Sequence, residues 1–160
     1  MINAATEADF DFIYGLYMHP ELNPYLLYEP MDQASFRPIF AQLLADKVLY
    51  IYSVHQQAAG MFKLIPLQHR TAHIAYLGGV AIAPAFAGHG LGTSMIKAIL
   101  TFAQERNFKR VELSTGTNNP RAAHLYEKCG FQREGILRNY SFLKGENRYI
   151  DEVLMSYIWP

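Results

Sequence analysis

A six-residue stretch, Gly88-His89-Gly90-Leu91-Gly92-Thr93, joins two segments of different hydrophobic period. Before it, a β-rich run from about Thr71 to Ala83 stops at Pro84. After it, Leu91, Met95, Ile99 and Ala103 recur at i, i+4 steps, flanked by Ile96 and Leu100, which is one face of an amphipathic helix. A strand passing through glycines directly into a helix constrains the chain to an α/β architecture. Without Cβ atoms the backbone can come close to a ligand, and the helix start aims unpaired N–H groups at it. The partial positive charge there favours phosphate. A tight turn with no ligand is the plainer alternative, because short glycine motifs are unspecific.

The spacing narrows the ligand. A phosphate-binding loop of the Gly-x-x-x-x-Gly-Lys-Ser/Thr type needs a lysine that does not occur before Lys97. The dinucleotide fingerprint reads G-x-G-x-x-G, whereas the spacing here is G-x-G-x-G. Glu112, about 20 positions on, keeps a dinucleotide cofactor in play as a rival.

The rest of the chain alternates strands and helices. Ile2 to Ala5 reads as a short strand, followed by a helix capped by Thr6 with Phe10, Ile13, Tyr14 and Tyr17 on one face. Residues 19–31 hold Pro20, Pro24 and Pro30 and read as a loop. Residues 32–46 form a second helix, capped by Asp32. Strands follow over Val48–Val54 and Gly60–Leu67, with a turn around His55-Gln56-Gln57. Val111 and Leu113 mark another strand. Pro120 suits the first position of a last helix, which Gly130 ends. Phe131–Phe142 and Arg148–Ile158 read as two strands joined around Lys144-Gly145-Glu146-Asn147. No repeat or linker divides residues 1–160, so a single domain is expected.

Charge adds a direction. Fourteen basic residues balance fourteen acidic ones, which argues against a general nucleic-acid binder. Residues 1–84 nevertheless carry −3, residues 85–133 carry +4 and residues 134–160 carry −1. The basic middle points to an anionic ligand. Cys129 is the single cysteine, which rules out an internal disulfide, and the histidines show no metal-ligand spacing. With no basic-then-apolar leader and no long apolar run, neither a membrane span nor export is expected, and a cytoplasmic protein is.

Val80-Ala81-Ile82-Ala83-Pro84 followed by Gly88-His89-Gly90-Leu91-Gly92 resembles the acetyl-CoA motif of the GNAT superfamily of N-acetyltransferases. That motif reads Arg/Gln-x-x-Gly-x-Gly/Ala. Gly90 and Gly92 match its second half, and Ala87 stands at the Arg/Gln position. Asn119-Pro120-Arg121-Ala122-Ala123-His124-Leu125-Tyr126, ending at Gly130-Phe131, is similar to the family's Asn-x-x-Ala-x-x-Leu-Tyr…Gly-Phe segment. The likeness extends to Ala5-Thr6-Glu7-Ala8-Asp9, to Glu134-Gly135 and to Tyr149-Ile150-Asp151-Glu152. It lies nearest the branch acting on amino acids and other small amines. The resemblance implies a mixed, mostly antiparallel sheet of about seven strands flanked by about four helices.

It also implies acetyl-CoA as acyl donor, without a metal, and direct transfer to a primary amine. Such a transfer requires deprotonation of the amine, stabilisation of an oxyanion and protonation of the leaving thiolate. On the family pattern, Val80, Ala81 and Ile82 would meet the pantetheine arm. Gly88, His89, Gly90, Leu91, Gly92 and Thr93 would hold the pyrophosphate, and Asn119 would bond the pantetheine. Tyr126 would be the acid. Ser114 stands where some relatives carry a glutamate base, and Glu112, two residues earlier on the same strand face, could act through a water held by Ser114. His73 is a further candidate base.

The bland readings are core packing for Tyr126 and helix capping for Asn119. Tyr25, Tyr28 and Glu29, with Asp32, could line an amine pocket. Arg121, Lys128 and Lys109 could meet an adenosine 3′-phosphate. The expected partner is a small-molecule amine, with a protein N-terminus and a non-catalytic acyl-CoA-binding module as alternatives. Tyr157 and Trp159 suit a homodimer interface or an ordinary core strand alike.

Overall fold

The computed structural model describes residues 1–160. Its strands are β1 (Ile2–Ala4), β2 (Leu49–Val54), β3 (Gln57–Pro66), β4 (Ile74–Ile82), β5 (Arg110–Gly116), β6 (Gln132–Leu143) and β7 (Arg148–Ile158). Its helices are α1 (Phe10–Tyr17), α2 (Gln33–Ala45), α3 (Leu91–Glu105) and α4 (Pro120–Lys128). The seven strands form one sheet in the order β1-β2-β3-β4-β5-β7-β6. Only β4 and β5 run parallel, and α3 makes the crossover that a parallel pair needs. This is the expected mixed, mostly antiparallel sheet with four helices. It is not the doubly wound parallel sheet on which a dinucleotide fingerprint works, so the dinucleotide reading falls.

Local chemistry explains the boundaries. His55 and Gln56 both have positive φ, which is the two-residue hairpin turn whose twist suits antiparallel strands. Val54 therefore pairs with Gln57, and β3 starts three residues before the expected Gly60. Thr6 caps a single 3-10 turn before α1, its amide donating to Asp9 Oδ2 at 2.8 Å. Asp32 caps α2 through the Ser35 amide at 2.8 Å. Pro38 sits inside α2 on its exposed side, where water can satisfy the carbonyl that loses its partner.

The sheet buries a core on each face. On one, Met95, Ile96, Ile99 and Leu100 of α3 and Ala123 and Tyr126 of α4 pack on Phe62, Leu77, Val111, Leu113 and Met155. On the other, Phe10, Ile13 and Tyr17 of α1 and Phe36 and Phe40 of α2 pack on Leu49, Ile51 and Met61. Tyr157 packs within the chain, tilted against Phe131 at 5.8 Å and edge-on to Trp159 at 5.3 Å. No helix is long and apolar enough to cross a membrane.

Candidate active site

The parallel pair is short. β4 and β5 are hydrogen-bonded only where Ile74–Tyr76 face Arg110–Glu112, and beyond that they diverge. On its other side β4 changes register against β3: Met61 faces Ala81, but Lys63 faces Gly78. The extra residue is a β-bulge at Gly79 and Val80, and Gly79 takes φ +58°. A side chain there would be excluded, since a Cβ on Gly79 would lie 2.6 Å from the Tyr17 hydroxyl oxygen. The gap between β4 and β5 thus exposes backbone that belongs to neither ladder.

A cavity of about 420 Å³ runs through this gap. Tyr126, Asn119 and Ala122 line it from α4, and Gly78, Gly79 and Val80 from β4. Ser114 and Thr115 of β5, Glu152 of β7 and Tyr140 and Phe142 of β6 line it from the other half of the sheet. Residues 23–29 form its lid. Asn23 holds that loop by donating from Nδ2 to the carbonyls of Tyr17 at 2.7 Å and Tyr28 at 2.8 Å. Glu29 ties it to the β6–β7 turn by accepting from the Lys144 amide at 3.2 Å.

Of the residues singled out in the sequence, the cavity brings together Tyr126, Ser114, Asn119, Val80, Tyr25, Tyr28 and Glu29. Asn119 caps α4, its Oδ1 accepting from the Ala122 amide at 3.3 Å, while also facing the cavity. Tyr126 is buried and its phenol makes no hydrogen bond within the protein. Burial raises its pKa well above the ordinary phenol value, and Tyr76 and Cys129 add to the shift. It is therefore a protonated group facing the gap.

Glu112 stands elsewhere. It shares a strand face with Ser114, as alternation requires, but its carboxylate is held by Arg110 at 2.9 Å, and Arg110 also holds Glu134 at 2.6 Å. It does not line the cavity. His73 is exposed before β4 and is also outside it. Asp32 is engaged as the α2 cap, which lowers its pKa through the Ser35 hydrogen bonds. Lys109 precedes β5, Arg121 and Lys128 stand at opposite ends of α4, and none of the three lines the cavity. Lys97 of α3 and Lys128 each lie near enough to Cys129 to oppose the upward shift that burial gives its thiol.

Two carboxylates line the cavity, Glu29 from the lid and, on the sheet itself, Glu152. Ser114 donates to its Oε1 at 2.6 Å, and the Ser141 hydroxyl donates to Oε2. Tyr76 lies 3.3 Å from the Ser114 oxygen, and because the Ser114 proton goes to Glu152, the phenol is the donor in this contact; burial raises its pKa. Sequence reasoning overlooked this relay and also Lys63. Each left a signal: Lys63 interrupts the apolar run Gly60-Met61-Phe62-Lys63-Leu64-Ile65, and Glu152 sits between Ile150 and Val153.

Ala81 and Ile82 pair with Met61 and Gly60 on β3 and do not line the cavity. Residues 88–93 lie beyond the end of β4, outside the cavity and at the start of α3. Gly88 and Gly90 have φ +83° and +71°. The amides of Gly88, His89 and Gly90 have no acceptor within the protein. With the free first amides of α3, they form a donor-rich cradle that fits a pyrophosphate. Gly92 serves packing, since a Cβ there would meet Leu125 Cδ2 at 3.2 Å. No three His, Cys, Asp or Glu side chains converge into a metal site.

The fold agrees with the comparisons. The chain matches the model of the acetyltransferase (GNAT) family over residues 10–131 and belongs to that family. It is an N-acetyltransferase. A spermidine N(1)-acetyltransferase of Vibrio cholerae is 27% identical over 157 residues, covering 94% of this chain and 87% of its own. The crystal structure of spermidine N-acetyltransferase from Vibrio cholerae in complex with CoA and spermine superposes with a TM-score of 0.85 at 24% identity, over 99% of this chain and 94% of that one. A ribosomal-protein-alanine N-acetyltransferase from Brucella melitensis gives 0.81 at 20% identity, over 99% of both chains. At these identities the two structures establish the fold alone.

Proposed function

We propose that residues 1–160 form one catalytic domain that uses acetyl-CoA to acetylate a primary amine of a small molecule, by direct transfer in a ternary complex. One observation carries this reading. The gap between β4 and β5 presents a protonated phenol, Tyr126, from one face of the sheet and a carboxylate relay, Tyr76–Ser114–Glu152, from the other.

Acetyl-CoA supplies the activated acyl group. The amides of Gly88–Gly90 and the start of α3 bind its pyrophosphate, and the free backbone of Gly79 and Val80 with Asn119 orients the arm in the gap. Glu152 takes the amine proton, directly or through Ser114. Tyr126 gives its phenol proton to the sulfur as the C–S bond breaks and the new C–N bond forms. Cys129 is no acyl carrier: its thiol is buried, burial raises its pKa, and it lies outside the cavity.

The experiment is thiol release from acetyl-CoA across a panel of amines, varying both substrates. Intersecting initial-rate patterns are expected, and parallel patterns would overturn direct transfer. Tyr126→Phe should lower kcat by about a hundredfold with a small change in CoA affinity. Saturable CoA binding with no amine-dependent thiol release would overturn the reading as a whole.

A further inference from the structure

Lys63 is the one cation in the cavity, and it has no counter-charge. It lies on β3 facing Gly78 and is only 5% exposed. Its stem passes the bulge, with Cε 3.4 Å from where a Cβ on Gly79 would sit, and Nζ lies 5.2 Å from the centre of the Tyr28 ring. No carboxylate lies within ion-pair distance of it. The cavity's two carboxylates are engaged elsewhere, Glu152 by Ser114 and Ser141 and Glu29 by the Lys144 amide. Burial lowers the Lys63 pKa, the signature of an ammonium short of compensation.

A second donor stands beside it. The Tyr17 hydroxyl is buried against Gly79, its ring 4.9 Å from that of Tyr28, and it has no partner within the protein. Buried polar groups are normally paired, so the Lys63 ammonium, which lines the cavity without an acceptor, marks a place for an anion, while the Tyr17 hydroxyl lies behind the bulge and off the cavity wall. A polyamine would bring more ammonium groups to a wall that already carries one. A carboxylate would complete it. Lys63 and Glu152 line the same cavity from β3 and β7, on either side of the gap between β4 and β5.

We infer that Lys63 anchors an anionic group of the acceptor, so that the acceptor is a small amine carrying a carboxylate and not a polyamine. This rests on the transferase reading above and narrows its substrate class.

The test compares amino acids with one to four carbons between amine and carboxylate against the matching alkylamines and spermidine. The expected result is a kcat/KM for at least one amino acid about tenfold or more above that of its alkylamine. Lys63→Met, which keeps the volume and removes the charge, should collapse that ratio to within about threefold of unity, mainly through KM. Lys63→Arg should restore part of it. The melting temperature of Lys63→Met should not fall, since an uncompensated buried charge is lost.

A preference for spermidine or the plain amines, or a ratio that survives Lys63→Met, would overturn the inference and leave the transferase reading intact. No turnover with any amine would overturn the transferase reading itself. Calorimetry with N-acetylated amino acids and N-acetylated alkylamines, in the presence of CoA, then decides the anion subsite by itself. Carboxylate-dependent binding lost in Lys63→Met supports it, and equal binding overturns it.

Discussion

Ser114 and Glu152, 38 positions apart, are joined by a 2.6 Å hydrogen bond across the β5–β7 ladder. The register makes it possible. Ser114 faces Leu154 and Gly116 faces Glu152, so the serine and the glutamate are diagonal neighbours on one face of the sheet. With Ser141 on its other oxygen, the carboxylate is fixed in orientation toward the gap. Glu112 shares that face, yet Arg110 turns its charge to a different use.

This arrangement separates two glutamates that the sequence alone ranks the other way. Glu152→Gln keeps the shape but cannot take a proton, and its amide N–H₂ meets a serine hydroxyl that was donating. Its kcat/KM for amine acetylation should fall by about a hundredfold or more. Glu112→Gln loosens the Arg110 cluster and should lower the melting temperature, with a much smaller effect on turnover. Equal losses of turnover in the two variants would remove Glu152 from the base role.

Alkaline titration tests the buried phenols. Burial raises the pKa of Tyr17 and Tyr126 far above the ordinary value of 10.0. In the unfolded chain both ionise near that value, so above it the unfolded state binds fewer protons than the folded one. Their contribution to stability is therefore complete below about pH 10 and declines as pH rises beyond it, by about 1.4 kcal/mol per unit for each group. Tyrosinate absorbance should include a fraction that appears only with loss of circular dichroism. Ionisation of every tyrosine in the folded chain, with one midpoint, would contradict the burial described above.

How much of this was legible in the sequence follows from what each feature depends on. Hydrophobic period and turn chemistry are local, and they located the seven strands, α3 with its glycine turn, and the Asn119-Pro120 start of α4. The likeness carried by Asn119 and Tyr126 led directly to two cavity residues. Glu152, Tyr76 and Ser141 were not legible as a relay, because their meeting depends on register between β5, β7 and β6. The bulge at Gly79 left one mark, the Gly78-Gly79 pair inside an expected strand, but the register shift itself depends on pairing between β3 and β4.

The bulge can be tested by filling it. Gly79→Ala would force a side chain into φ +58° and toward the Tyr17 hydroxyl oxygen at 2.6 Å. A loss of about 1–3 kcal/mol of stability is expected from the strained backbone, more if the ring cannot yield. Because Lys63 and the free backbone meet at this residue, KM for the acceptor should rise as well. Gly135→Ala is the comparison, as a Cβ there meets nothing within 4 Å. Chemical denaturation of both variants gives the measurement, and equal stability would mean that the bulge relaxes without cost.

The departure from the family motif at Ala87 makes the last prediction. The residue is exposed, its amide donates to the Pro84 carbonyl at 3.2 Å, and its φ of −67° is accessible to any side chain. The following amides form the anion cradle without help from a charged side chain. Ala87→Arg should therefore fold normally and add a solvent-exposed cation beside the pyrophosphate. Surface pairs of this kind contribute about 0.2–1 kcal/mol, so the Kd for CoA should fall by no more than about fivefold. The gain should shrink as salt is raised from about 50 to 500 mM, because exposed charges are screened over that range. A tighter Kd that does not respond to salt would mean that the arginine acts by ordering the turn and not by its charge, and no change at all would mean that the pyrophosphate lies away from Ala87.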